Sequence, residues 1–179
     1  VLNLNEIRLA VSAGGSSPII LSASVLMLIG FGVKAALVPL HTWLPDAHSQ
    51  APSGISAMLS GIVIEAGLVA LLRSTGAVIV SHTTWGYLIM AFGALNLLVG
   101  NLMALRQTQV KRMLAYSSVS QMGYILVGVG VAVYTLQPEG AAGGFFHVIT
   151  HALMKGAAFL AAGALLYALR MAHHNHEPL

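Results

Sequence analysis

The 179-residue sequence contains no cysteine. That excludes disulfides, thiolate zinc sites and iron–sulfur clusters on this chain. Charge is scarce as well: 7% of the residues are Asp, Glu, Lys or Arg, against about 25% in an ordinary soluble domain. A soluble fold of this length needs a charged surface, and 8 basic and 5 acidic side chains cannot build one. The basic residues are dispersed rather than gathered into a patch, so the net charge of +3 does not point to nucleic acid. Nothing reads as a strand. The first residue is Val1 rather than Met, and no basic n-region with a cleavage site follows. This reads as a piece of a longer chain.

What is present is apolar. Hydrophobic residues make up 57% of the chain, and the mean hydropathy is +0.83. A membrane-spanning helix needs about 20 mainly apolar residues, and five segments qualify: residues 18–40, 53–72, 85–105, 113–134 and 143–169. Gly and Ser recur within all five, as close packing between membrane helices requires. The expected fold is an all-α integral membrane bundle of about five helices. Residues 1–17 form a polar lead-in on the outer side. Residues 171–179 are a polar tail or a truncated connector, in which "HHNH" suits a flexible tail better than a metal site.

Arg106, Lys111, Arg112 and Arg170 gather on one side of this topology, and Arg8 and Arg73 on the other. The positive-inside rule therefore places loops 41–52 and 106–112 in the cytoplasm. The connector 41–52, with His41, Asp46 and His48, is expected along the membrane interface.

Several ionisable side chains fall inside the expected hydrocarbon zone: Lys34, Glu65, His151 and Lys155, with His147 one turn earlier. A charge at the bilayer centre costs on the order of 2.5–3.5 kcal/mol even on lenient insertion scales. A simple anchor would not carry several. Lys34 can alternatively snorkel to the interface if its helix ends near Val33. Glu65 is too short and too deep for that and needs a buried partner. His147, His151 and Lys155 are spaced i, i+4, i+8, so they share one helix face and form a ladder about 12 Å long. Such groups suit proton exchange, and a Lys34–Glu65 pair that closes and opens suits a gate. Ser117, Ser118 and Gln121 serve either as helix–helix glue or as a water path beside them. No metal site and no cofactor site is expected on this chain. A haem is the weakest option, because membrane-depth histidines occur on one helix and not on two.

Three runs, "KAALVPLHTWLPDAH", "VKRMLAYSSVSQMGY" and "HVITHALMKGAAFLAAGAL", resemble the antiporter-like subunit family. Its members are the proton-pumping membrane subunits of NADH–quinone oxidoreductase, the large subunits of multisubunit Na⁺/H⁺ antiporters, and their counterparts in membrane-bound hydrogenases and formate hydrogenlyases. The resemblance covers residues 30–166. It implies a bundle of about fourteen helices with two inverted five-helix repeats, each containing a broken helix. The five helices here look like the seventh to the eleventh, most of the second repeat without its last helix. It implies that the first helix breaks near Pro39, where unwound backbone and water solvate Lys34. Lys34 matches the seventh-helix lysine, and His151 and Lys155 match the eleventh-helix pair. Glu65 departs from the family, which usually has a second lysine there. The fifth-helix Glu that pairs with the Lys34 position lies outside the chain. The implied function is a proton- or sodium-translocating subunit of a redox-driven complex in the cytoplasmic membrane, among other membrane subunits, lipid, and H⁺ or Na⁺. The alternatives are a non-redox Na⁺/H⁺ antiporter subunit and an inactive membrane scaffold.

Overall fold

A computed structural model of the chain describes residues 3–14, 18–78 and 81–174, and among them every regular element is helical. In chain order these are α1 (Leu4–Gly14), α2 (Pro18–Lys34), α3 (Trp43–Gln50), α4 (Ser53–Met58), a π-helical turn (Leu59–Val63), α5 (Ile64–Gly76), α6 (His82–Leu105), α7 (Val110–Thr135) and α8 (Pro138–His174). Four stretches are long and apolar enough to cross a membrane: Ser53–Gly76, His82–Leu105, Val110–Thr135 and Pro138–Leu169. The chain is a multi-pass membrane protein. The lead-in is itself helical over Leu4–Gly14, and α8 continues through His174, into the expected tail. The last two residues of "HHNH" lie outside the described residues.

The first expected span does not run to residue 40. Its helix, 17 residues long from Pro18, ends at Lys34, and the chain then turns until α3 begins at Trp43. Proline at the first helical position costs α2 no hydrogen bond. At the other end the Leu37 N–H donates to the Gly32 carbonyl (2.9 Å) and the Ala36 N–H to the Val33 carbonyl (3.1 Å). Together with Ala36 at φ 54° this is a Schellman ending, in which one left-handed residue lets two carbonyls be capped. Glycine usually fills that position. Ala36 carries a Cβ, so no glycine marked the stop in the sequence.

The unwound residues are not at the surface. Ala35, Ala36, Leu37 and Val38 belong to the main core with Leu44 of α3, Ile64, Leu68 and Leu71 of α5, and Val119, Met122, Ile125, Leu126 and Val129 of α7. Irregular backbone at membrane depth is tolerated where protein surrounds it and supplies hydrogen bonds. Close approach at small residues holds the other helices. A Cβ on Gly93 would lie 2.9 Å from the Gly123 carbonyl, and one on Gly100 would lie 2.5 Å from the Ser120 nitrogen, so α6 and α7 touch backbone to backbone. The π turn was not foreseen. It widens the Ser53–Gly76 span just ahead of Glu65, where Gly61 lies against the Ala152 backbone of α8. Such turns recur at functional positions in helices.

Candidate functional site

Three buried ionisable side chains lie where α5, α7 and α8 meet. Glu65, His151 and Lys155 are 4%, 0% and 2% exposed. His151 Nδ1 and Glu65 Oε1 share a hydrogen bond at 2.7 Å. The Lys155 ammonium turns to α7, donating to the Leu114 carbonyl (3.1 Å) and, by a shorter bond, to the Ser117 hydroxyl. His147, half-buried, meets Gln121 of α7 through Nε2 and Oε1 at 2.7 Å. The rings of His147 and His151 are 6.3 Å apart, as one helical turn requires. The ladder on α8 therefore has its middle rung tied to α5 and its two outer rungs tied to α7.

A helix with no acidic, basic or histidine side chain at this depth holds the arrangement together. On α7, Ser117 and Gln121 bind Lys155 and His147. Ser118, also buried, shares a 2.6 Å hydrogen bond with Ser60 inside the π turn. Successive turns of one face thus reach the two outer rungs of the ladder and the π turn ahead of Glu65. The hydroxyls and the amide join the helices and, at Ser117 and Gln121, bind the ionisable side chains of α8.

Lys34 is placed differently from the expected pair. It is exposed on this chain, and its Cγ lies 2.8 Å from where a Gly67 Cβ would stand. Gly67 follows Glu65 by two positions, about 200° around an α-helix. Lys34 thus packs on the face of α5 turned away from the carboxylate, and Glu65 takes His151 as its partner instead. Among the described residues no salt bridge reaches Lys34. Its position suits a cation nonetheless: as the last residue of α2 it sits at the negative end of the helix dipole. The break expected near Pro39 begins immediately after it.

His41 and His48 are enclosed by protein at the end of the bundle. They are 8% and 0% exposed. His48 stacks on Phe159 of α8, with ring centroids 4.6 Å apart and planes 13° apart, and neither ring nitrogen has a protein partner. Burial, reinforced by the cations Lys155 and Lys111, pulls its pKa down to about 4. Burial lowers that of His41 too, against a hydrogen bond to the Pro39 backbone that raises it. The connector is held at one end of the bundle by Lys111, whose ammonium donates to the Ala51 carbonyl (2.7 Å), and by an Arg112–Asp46 pair (3.1 Å). Loops 41–52 and 106–112 therefore lie at the same end. Sequence reasoning missed His48 because its spacing placed it in a polar connector, and only the packing of α3 against α7 and α8 buries it.

Residues 1–177 match the family described as "NADH:quinone oxidoreductase/Mrp antiporter, TM". The chain belongs to this family. Hydrogenase-4 component B of Escherichia coli is 40% identical, over 94% of this chain and 25% of that protein. F(420)H(2) dehydrogenase subunit N of Methanosarcina mazei is 40% identical over 84% of this chain and 30% of its own length. NAD(P)H-quinone oxidoreductase chain 4 of a Synechococcus strain is 37% identical over 77% and 24%. In three dimensions the fold is similar to a chain in the structure of the Mrp complex from Dietzia sp., with TM-score 0.81 and 28% identity, over 92% of this chain and 30% of that one. This antiporter-family chain spans about a quarter of the length of the curated relatives it matches.

Proposed function

We propose that the chain is the relay portion of a proton-translocating membrane subunit in a redox-driven complex of the NADH–quinone oxidoreductase or membrane-bound hydrogenase type. The observation that carries this is the buried Glu65–His151 pair, flanked on the same helix by His147 and Lys155. A buried carboxylate joined to an imidazole can exchange a proton without moving either helix. Lys155, one turn along, is held by a carbonyl and a hydroxyl rather than by a counter-charge, so its proton is available for transfer. Glu65 has an imidazole for a partner, which suits H⁺ better than Na⁺, since a bound Na⁺ calls for oxygen ligands. His151 Nε2 is buried without a protein partner; water is the partner available to it. In this reading Glu65 and His151 form the central step, and Lys155 passes the proton along the bundle. Lys34, at the end of the broken helix, answers to a charge contributed from outside the described residues.

The redox chemistry belongs to other subunits, this chain carrying no cofactor of its own. The surroundings are the cytoplasmic membrane and neighbouring membrane subunits, with loops 41–52 and 106–112 facing the cytoplasm. The hydrogenase, F(420)H(2) dehydrogenase and quinone oxidoreductase relatives support a redox-driven parent. The likeness to a chain of the Mrp complex supports the second reading, a multisubunit Na⁺/H⁺ antiporter.

The test is ion movement in vesicles containing the complete complex with Glu65→Gln or Lys155→Met. Glutamine keeps the shape and a hydrogen bond to His151 but exchanges no proton. Methionine keeps most of the lysine stem. Translocation is expected to fall about tenfold or more in each, with the complex still assembled. Wild-type translocation in both variants leaves the scaffold reading. Translocation driven by a Na⁺ gradient with no electron donor selects the antiporter.

A further inference from the structure

Unwinding a helix at membrane depth strands backbone groups, and each unsatisfied one costs several kcal/mol in hydrocarbon. The break after Lys34 strands the Val38 N–H and the Ala36 carbonyl. Both are met by one side chain from another helix. Asn96 of α6 is fully buried. Its Oδ1 accepts from the Val38 N–H at 2.9 Å, and its Nδ2 donates to the Ala36 carbonyl at 3.5 Å. The second Nδ2 hydrogen goes to the Val119 carbonyl of α7 at 3.3 Å. A carboxamide has one acceptor oxygen and two donor hydrogens, and all three functions are used. The reverse orientation would set its oxygen against two carbonyls, so the network itself assigns the amide.

The surroundings are built for this contact. Gly93 and Gly100, three and four positions from Asn96, share its helix face. They bring α6 close enough to α7 for the short side chain to bridge helix and break together. Asn96 is the one polar side chain among the buried residues of α6. Val119, its third partner, directly follows Ser118, which binds Ser60 in the π turn ahead of Glu65. Val119 also lies two residues from both Ser117 and Gln121, the partners of Lys155 and His147.

We propose that Asn96 is a positioning residue for translocation, tying the unwound stretch after Lys34 to α7, the helix whose Ser117 and Gln121 hold Lys155 and His147 beside the Glu65–His151 pair. Movement of the break when Lys34 changes its charge or partner must then pull on α7, and displacement of α7 must pull on the break. The inference rests on the translocation reading above and adds to it a mechanical link between Lys34 and the relay, which make no direct contact.

The experiment uses the complete complex in vesicles with Asn96→Leu, similar in size but without polar atoms, and Asn96→Ser, which keeps one hydroxyl. Three quantities are measured: ions moved per turnover, turnover per assembled complex, and amide exchange at Val38. In Asn96→Leu, exchange at Val38 is expected to quicken about tenfold or more. Ions moved per turnover should fall to less than half while turnover per assembled complex is kept. Asn96→Ser should lie between Asn96→Leu and wild type in both respects. Should Asn96→Leu not assemble, the serine variant carries the test by the same comparison with wild type. A wild-type ratio of ions to turnover, with or without faster exchange, overturns the proposal. So does a loss of translocation that merely follows the amount of assembled complex. Glu65→Gln run in parallel separates the two claims: if it too translocates normally, the relay reading has failed and not only the link.

Discussion

Lys155 and His48 show how burial acts on single side chains in this protein. Both are almost wholly enclosed, yet Lys155 has two oxygen partners and His48 has none. A buried imidazole with free nitrogens beside two cations is disfavoured in its charged form. With a pKa near 4 against about 6.5 in the unfolded chain, His48 stays neutral in the folded protein through the physiological range. The folded-state pKa is depressed, so the unfolded state binds the extra proton first. The contribution to stability is present in full above about pH 6.5 and is lost as pH falls toward 4, on the order of 3 kcal/mol. Thermal unfolding of the full-length subunit between these pH values should show this slope. His48→Gln should make the slope shallower without abolishing it, since burial shifts His41 in the same direction. An unchanged slope in His48→Gln would mean that the imidazole is hydrated and not enclosed.

At the scale of elements, the break between α2 and α3 decides where Lys34 stands. It was legible in outline from Lys34 preceding "AALVPL" and from the resemblance to a family with broken helices. Its place was not legible, because Ala36 adopts a conformation that glycine normally marks. Left-handed backbone at a residue with a Cβ costs about 1 kcal/mol or more, which the core packing of residues 35–38 offsets. Ala36→Gly is accordingly expected to raise the stability of the subunit by up to about 1 kcal/mol with translocation intact. Ala36→Val should lower stability by more than that, since a β-branched side chain fits this backbone worst. Chemical denaturation of the three forms gives the order; a glycine variant less stable than wild type would show that Ala36 is not held left-handed. The π turn had no sequence signal at all. It is a property of how Gly61 and Ser60 meet α8 and α7.

For the whole molecule, the connector of α2 and α4 meets that of α6 and α7 at one end of the bundle, the end proposed to face the cytoplasm. The absence of cysteine makes this simple to test on the intact complex, since one introduced thiol adds one reactive site on this chain. Gln50→Cys and Thr108→Cys are expected to react with a membrane-impermeant maleimide only from the cytoplasmic side. Thr83→Cys, at the start of α6, should react only from the other side. Labelling of the first two from opposite faces would overturn the topology, and labelling of both from outside would overturn the orientation alone. Many large apolar side chains, Ile19, Leu105 and Leu153 among them, point outward. At membrane depth such a surface meets lipid or neighbouring helices without cost.

The sequence by itself determined the membrane class, the order of the helices with four of the five expected long spans, and which ionisable side chains make up the proposed relay. These depend on composition and on spacing along one chain: apolar length sets the spans, and the i, i+4, i+8 row sets His147, His151 and Lys155 on one face whatever else surrounds them. Pairing depended on the tertiary structure. Glu65 lay within reach of either Lys34 or His151 as far as spacing could tell, and the close approach at Gly67 turned Lys34 to the far side of α5. Asn96 in an apolar span and His48 in a polar connector likewise gained their partners or lost them through contacts between helices distant in sequence. A side chain's type is written in the chain, but its partner is set by which faces the packing of backbones allows to meet.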